Sequence, residues 1–344
     1  MRRFIFTIIV LFLVVIGATA WRVYRRVLEP YKGYQAAEQF VDLRPGSGAS
    51  EIGRRLVEAG VVRDRLTFQV ALWLSWEARH LQAGEYRFDR PVTPADVIDR
   101  IRRGDVYEHR VTFPEGLTIA EMAALFESRG LGTGASFVEA AKDTSLVNAY
   151  DPSARDLEGY LFPQTYALPR GTPASTLVRL MVEGFDKAFP SELRHAAAER
   201  GLPVRQVITL ASLVEKETPR DDERPLVAAV YLNRLERRMP MQCDPTVIYA
   251  LRKAGKYNGN LTRENLEFDS PYNTYRYPGL PPGPIAAPGR PSLEAAAMPA
   301  AVDYLYFVSR NDGSHVFAST LEEHNRNVRK YQVDYFRDRR LGSP

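Results

Sequence analysis

The sequence predicts an α+β protein: a single N-terminal transmembrane helix, a small β-α-α-β subdomain, then a larger mixed α/β domain. Three observations predict it. An uncharged apolar run stands near the N-terminus, a strand-turn-helix pattern recurs 70 residues apart, and helical periodicity alternates with strand-like runs through the remaining chain. The predicted segments are 1–30 for the tip and membrane anchor, 38–106 for the small subdomain, and 107–340 for the larger domain.

The anchor is FIFTIIVLFLVVIGATAW, Phe4 to Trp21, close to the ~20 residues that cross a bilayer as a helix. Ala18-Thr-Ala20 has the small-x-small form of a signal-peptide cleavage site. The run is long for a signal peptide, however, and Trp21, Tyr24, Arg25 and Arg26 read as an interface anchor, so an uncleaved span is expected. Arg2 and Arg3 precede the span, whereas Arg22, Arg25 and Arg26 follow it. The charge count therefore does not by itself favour export, but long domains translocate largely regardless of such charges. The rest of the chain is expected outside the cytoplasm.

The repeat lays FVDLRPGSGASEIGRRLVEAGVV (40–62) on RVTFPEGLTIAEMAALFESRGLG (110–132) without a gap. Val41 falls on Val111, Leu43 on Phe113, Gly46 on Gly116, Ile52 on Met122, Leu56 on Phe126 and Gly60 on Gly130. Each copy reads as a strand, a Gly turn and a helix closed by Gly. Thr118 and Glu121 form a capping-box pair. In the first copy a helix at about 63–76 and a strand at about 84–88 complete the β-α-α-β order. A further helix begins at Thr93-Pro94 and closes at Gly104.

DLEGYLFPQTYALPRG (156–171) is dense in aromatic and turn-forming residues, and a helical run follows from Pro173 to Arg200. The next helix starts near Val204 and ends before Pro219. A Pro- and Tyr-rich loop spans Ser270–Gly289. YLYFVS and SHVFAS form a hairpin through Arg310-Asn-Asp-Gly313, and an amphipathic helix begins near Leu321.

Composition narrows the function classes. The 344 residues are 45% hydrophobic and 26% charged, with a net charge of +4 and no basic block, so a nucleic-acid partner is disfavoured. Cys243 is the only cysteine, which excludes an internal disulfide and a cysteine-based metal site. His109, His315 and His324 lack metal-ligand spacing, His80 and His195 stand alone, and no phosphate-binding Gly loop is present. Neither metal nor organic cofactor is expected. No Ser-His-Asp order can be assigned, and Ser212 reads as packed.

In ASLVEKETPR (211–220), Val207, Ile208, Leu210, Ala211 and Val214 share the apolar face, with Glu215 on or beside it and Lys216 turned away. A carboxyl there loses solvation, which raises its pKa and suits a general acid. A helix-end glutamate paired with Lys216 or Arg220, or simply solvated, fits the same pattern. Asp244 reads as an N-cap before Pro245. Gln242, Thr246 and Tyr249 lie near that cap and could line a cleft. Tyr272, Asn273, Thr274 and Tyr275 offer aromatic faces and hydrogen-bonding groups of the kind that hold sugars, or else simply order a surface loop.

Together, ASLVEKET (211–218), QCDPTVIYAL (242–251), YNTY (272–275), GLPPGPIAAPG (279–289), YLYFVSRNDGSHVFASTLEEHN (304–325) and LEGYLFPQTY (157–166) resemble the YceG-like family over nearly the whole chain. Gln164 stands where that family more often has Asp. The resemblance implies an endolytic murein transglycosylase that cleaves the MurNAc–GlcNAc bond within a glycan strand and leaves a 1,6-anhydro-MurNAc end. It maps the catalytic glutamate onto Glu215, acting as general acid and then base, with Glu217 as a substrate-side residue, a helper tuning Glu215 by like charge, or a structural residue. Gln242, Asp244, Thr246, Tyr249, Tyr272, Asn273, Thr274 and Tyr275 are the expected substrate contacts. Expected partners are nascent peptidoglycan and, in the inner membrane, the penicillin-binding synthases. The β-α-α-β unit is similar to a glycan-binding LysM-type subdomain. A non-catalytic membrane-anchored peptidoglycan scaffold and a hydrolase are the other readings.

Overall fold

The computed structural model describes residues 2–75 and 80–337, with side chains described from residue 6 onwards. Met1, the side chains of Arg2 and Arg3, Trp76 at the expected end of the second helix, and residues 338–340 of the larger domain lie outside this description. The chain divides into two compact units, Met1–Arg110 with Ala167–Gly171, and Val111–Tyr166 with Thr172–Pro344.

In the first unit, α1 (Arg2–Leu28) contains the stretch Phe6–Leu28, 23 residues that include an 18-residue window of mean hydropathy 2.2, which is long and apolar enough to cross a membrane. Its apolar side chains, Phe6 and Leu11 among them, are exposed. Then come β1 (Gln39–Leu43), α2 (Ala49–Glu58), α3 (Arg65–Ser75), β2 (Gly84–Phe88) and α4 (Pro94–Arg103). β1 pairs antiparallel with β2, setting Val41 opposite Tyr86 and Leu43 opposite Gly84. Alternate strand residues and the apolar faces of the helices meet in one core that includes Leu56, Phe68, Tyr86, Phe88, Val97 and Ile101. Thr93 and Asp96 form a reciprocal capping box at the start of α4, and Gly104 ends it in the left-handed region.

β3 (Glu108–Thr112) opens the second copy of the repeat and pairs with β4 (Thr165–Pro169), a strand hidden in the sequence by its turn-forming neighbours. α5 (Ile119–Ser128) lies 70 residues after α2 at both ends. Gly46 and Gly116 take φ of +80° and +75°, a turn geometry that favours glycine. Val41 and Val111, Leu43 and Phe113, Ile52 and Met122, and Leu56 and Phe126 are all buried, so the matched positions do the same packing work in each copy. The Thr118–Glu121 capping box is present.

The second unit continues with α6 (Gly134–Ala140), α7 (Ala174–Ala188), α8 (Ser191–Glu199), α9 (Val204–Glu217), α10 (Arg224–Glu236), α11 (Asp244–Lys253) and α12 (Arg290–Ala297). The expected single helical run 173–200 is two helices, because Phe189 leaves helical geometry (φ −119°, ψ 69°) ahead of Pro190. The hairpin β5 (Tyr306–Ser309) and β6 (His315–Ala318) sets Phe307 opposite Phe317, and Asn311 and Gly313 carry its positive-φ turn. α13 (Leu321–Val328) runs on into a π-helical segment, Arg329–Asp334.

α9 is the centre of this unit. Val207 to Val214 are buried without interruption, covering every face for two turns, and α8, α10, α11 and α12 pack around it. The Pro-rich segment 279–289, part of the loop expected over Ser270–Gly289, is a mostly buried strap. Ile285 N–H donates to Ser212 Oγ (3.1 Å), and Gly116 N–H and Leu117 C=O bond the backbone of Ala287 (2.8 Å each). The strap thus lies between α9 and the turn of the second repeat, and its far end starts α12.

Candidate active site

Glu215 sits in the last turn of α9, and its carboxyl is 6% exposed. Both alternatives read from the sequence, pairing with Lys216 or Arg220 and simple solvation, are replaced by other contacts. Gly289 N–H donates to Oε2 at 3.0 Å from the end of the strap. Ser292 Oγ donates to the same oxygen at 2.8 Å from α12. The Arg224 guanidinium, 5% exposed at the start of α10, reaches both carboxyl oxygens at 3.3 and 3.4 Å. The expected apolar surroundings are therefore corrected: three elements bring donors that compensate a carboxylate charge. Lys216 does turn away, donating to Gly116 C=O at 3.1 Å.

Two further acids share Arg224. Asp221 Oδ1 lies 3.4 Å from Nε, and Glu115 Oε2 lies 3.8 Å from Nη2. Glu115 belongs to the turn of the second repeat. Its carboxyl pKa is pushed up by burial and by the neighbouring Glu215 and Asp221 charges, against the pull of Arg224.

Glu217 faces a different neighbourhood. Its carboxylate accepts from Tyr231 OH (3.2 Å) and from the Cys243 thiol (3.7 Å), and burial raises its pKa. Through Cys243 it meets the other predicted residues. Asp244 is not the helix cap: Cys243 holds that position and Asp244 is the first helical residue, with its carboxylate accepting from Tyr275 OH. The capping reading failed by one residue because Pro245 fits the second helical position as readily as the first. Thr246, Asn273 and Thr274, expected among the substrate contacts, are buried side chains. Thr274 Oγ1 accepts from Cys243 N–H (3.0 Å) and pairs with Thr246 Oγ1 (2.9 Å). Asn273 Nδ2 donates to Leu266 and Phe268 carbonyls. These side chains tie the Tyr-rich loop to the start of α11.

Gln242 and Asp244 are exposed, and Tyr272 and Tyr275 are half-buried beside them. Gln242 adopts φ +52° and donates its N–H to Thr274 C=O. Tyr249 stacks at a tilt on Tyr272, ring centres 4.9 Å apart, and Lys253 lies over both rings. A groove of about 190 Å³ runs here, lined by Lys216, Thr118, Pro245, Tyr249, Arg252 and Tyr257. A neighbouring hollow of about 300 Å³ adds Ile119, Val138, Asp156, Glu158 and Lys253.

Glu158, buried under Tyr249, accepts from Ile119 N–H (3.0 Å) and Tyr249 OH (3.3 Å). Burial raises its pKa from 4.5 to about 8. Between those values the folded chain binds a proton that the unfolded chain has released, so stability declines as pH rises through this window. Glu158→Gln keeps the shape without the titration. It is expected to flatten the fall in Tm between pH 5 and 9, measured by thermal unfolding against the parent protein. A slope identical to the parent's would remove Glu158 as its source.

The comparisons bear on this site. The YceG-like family matches residues 41–330. The chain belongs to that family. Its YceG-like relatives include an endolytic murein transglycosylase of Bacillus subtilis, 32% identical over 328 residues, with 89% of this chain and 88% of that protein covered. An endolytic murein transglycosylase of Streptococcus pneumoniae is 30% identical over 368 residues, covering 96% of this chain and 65% of that longer protein. A crystal structure of a YceG-like protein from Listeria monocytogenes superposes with a TM-score of 0.57 at 30% identity, covering 84% of this chain and 98% of the other. Glu215 and Gly289 lie in the stretches ASLVEKET (211–218) and GLPPGPIAAPG (279–289) that carry the family resemblance. Arg224, Ser292 and Glu115 were missed. The only available signal was a Pro at the second position of α10 and of α12, which marks helix starts but not site residues.

Proposed function

We propose that the protein is an endolytic lytic transglycosylase of peptidoglycan, anchored by α1 with the rest of the chain outside the cytoplasm. The reading is carried by one observation: a buried carboxyl, Glu215, into which the strap, α10 and α12 converge. The relatives named above as endolytic murein transglycosylases support the same chemistry. Glycosidases that use water need two enzyme carboxylates. Here the substrate's C6 hydroxyl is the nucleophile, and covalent attachment holds it near the anomeric carbon, so positioning is largely intramolecular. Glu215 protonates the leaving oxygen between MurNAc and GlcNAc and then, as a carboxylate, takes the proton from the C6 hydroxyl.

Gln242, Asp244, Tyr249, Tyr272 and Tyr275 are assigned to the sugar chain, the tyrosines through ring faces and hydroxyls. Thr246, Asn273, Thr274 and Glu217 act behind them by fixing the loop. The β-α-α-β unit at 38–106 is assigned a LysM-like glycan-binding role. Cutting within nascent strands would end their elongation, which places the enzyme beside the membrane synthases.

Mass spectrometry of products from purified murein tests the proposal. The expected product is internal fragments with 1,6-anhydro-MurNAc ends. Reducing ends would indicate a hydrolase, and intact strands that bind the protein would indicate a scaffold. Either result overturns the proposal.

A further inference from the structure

α3 is apolar on two opposite sides. Thr67, Phe68, Ala71 and Leu72 are buried towards the core of the first unit, whereas Leu66, Trp73 and Leu74 are 57%, 70% and 45% exposed. With half-buried Val70, these residues follow the i, i+4, i+7, i+8 spacing of a single helix face. After Arg65 the helix carries no charge. A helix that is apolar all round belongs in a protein core or in lipid. The second face of α3 is not core. It opens, together with Val15, Ile16 and Tyr24 of α1, on one apolar hollow of about 520 Å³.

Charge marks one end of this hollow. Arg26, near the end of α1, reaches Asp64 just ahead of α3 at 3.5 Å, and Arg63 reaches Glu29 at 3.5 Å. Arg65 donates to Ser50 Oγ at 2.9 Å. From that charged end the lining extends back along α1 to Val15 and forward along α3 to Leu74. Trp21 and Tyr24, the expected interface residues of the anchor, set the level of the headgroups. Val15 lies six residues further in, about 9 Å along the helix axis. An interfacial helix buries its apolar face roughly 5–10 Å into the boundary of headgroups and acyl chains. The hollow therefore lies at the depth where lipid, not water, meets the protein.

We propose that α3 is a second membrane element: its Leu66–Val70–Trp73–Leu74 face seats in the lipid interface beside α1, and acyl chains fill the hollow between the two helices. The inference rests on α1 being the membrane anchor and is independent of the chemistry at Glu215. Apolar area drives the contact, and Trp73 suits a boundary where one side of a ring meets chains and the other meets headgroups. Arg22 and Arg25, exposed on the charged end of α1, sit at headgroup level. The first unit is then held against the bilayer by two elements instead of hanging from one.

The test uses the full-length protein in phosphatidylethanolamine–phosphatidylglycerol vesicles, with Trp21→Phe and Trp76→Phe leaving Trp73 as the sole tryptophan. Its emission is expected to lie to the blue of a water-exposed indole, to resist acrylamide, and to be quenched by lipids brominated at shallow acyl positions. Emission at the water-exposed wavelength with full acrylamide quenching overturns the proposal. So does a blue-shifted Trp73 that brominated lipids leave unquenched, because protein, a second copy or another chain, then covers the face. Should the double variant not fold, a nitroxide on Leu74→Cys gives the same reading, from its accessibility to oxygen against an aqueous nickel complex. Cys243 is buried and escapes that label. Alkaline washing of vesicles carrying the parent protein tests the anchor separately. Protein that washes off sinks the reading of α1 and this inference with it, whereas retained protein with a water-exposed Trp73 sinks only the role of α3.

Discussion

Glu215→Gln is expected to abolish release of anhydro-ended fragments while the protein still folds. The amide oxygen can keep accepting from Gly289 N–H and Ser292 Oγ, which bond the present carboxylate at 3.0 and 2.8 Å. Arg224 keeps Glu115 and Asp221 as counter-charges. Shape and most local bonds survive, but no proton can be taken from the C6 hydroxyl. Removing a positioned acid–base group costs roughly 10²–10⁴-fold. Product release by mass spectrometry should therefore fall at least about a hundred-fold, with a circular dichroism spectrum matching the parent's. Rates within a factor of ten of the parent's would take Glu215 out of the chemistry.

The second large effect is expected at Arg224. Its guanidinium is 5% exposed and faces a carboxyl that is 6% exposed. Arg224→Met preserves length and apolar stem but leaves the buried Glu215 carboxyl with neutral donors alone, Gly289 N–H and Ser292 Oγ. Breaking one side of a buried pair costs about 3–5 kcal/mol, which for a unit of this size lowers Tm on the order of 10 °C. Activity should fall together with stability. Arg224→Lys separates the two losses: it restores charge without the two-pronged grip, so Tm should recover more than kcat. Equal Tm for Arg224→Met and the parent would mean that the pair holds nothing together.

Local signals made the first unit and the second copy of the repeat legible. The repeat, the Thr93 and Thr118 caps and the strand at 84–88 depend on neighbours a few residues away, and the structure reproduces them nearly residue for residue. α10 escaped because Val227 to Tyr231 are buried on all sides, which erases the polar face that a periodicity search needs. α12 is eight residues and Ala-rich, too short to show a period. The environment of Glu215 was out of reach for another reason. A buried arginine looks in sequence like any surface charge, and no local pattern reveals that Arg224, Gly289 and Ser292 converge on one carboxyl. What was readable was the anomaly itself, an acid at the end of an apolar face.

The strap 279–289 has a consequence for how the enzyme becomes active. Glu115, Glu215 and Gly289 are far apart along the chain, and the strap's bonds to Gly116, Leu117 and Ser212 are the closures that bring them together. Contacts of such high sequence separation are slow to close, because loop-closure entropy opposes them. A chain still emerging during synthesis can build α9 with Glu215 in it, but lacks the Gly289 N–H and the Ser292 hydroxyl until nearly 300 residues have been made. Maturation of the cutting site is thereby tied to near-completion of the chain, and fragments ending before the strap would be inert towards the wall.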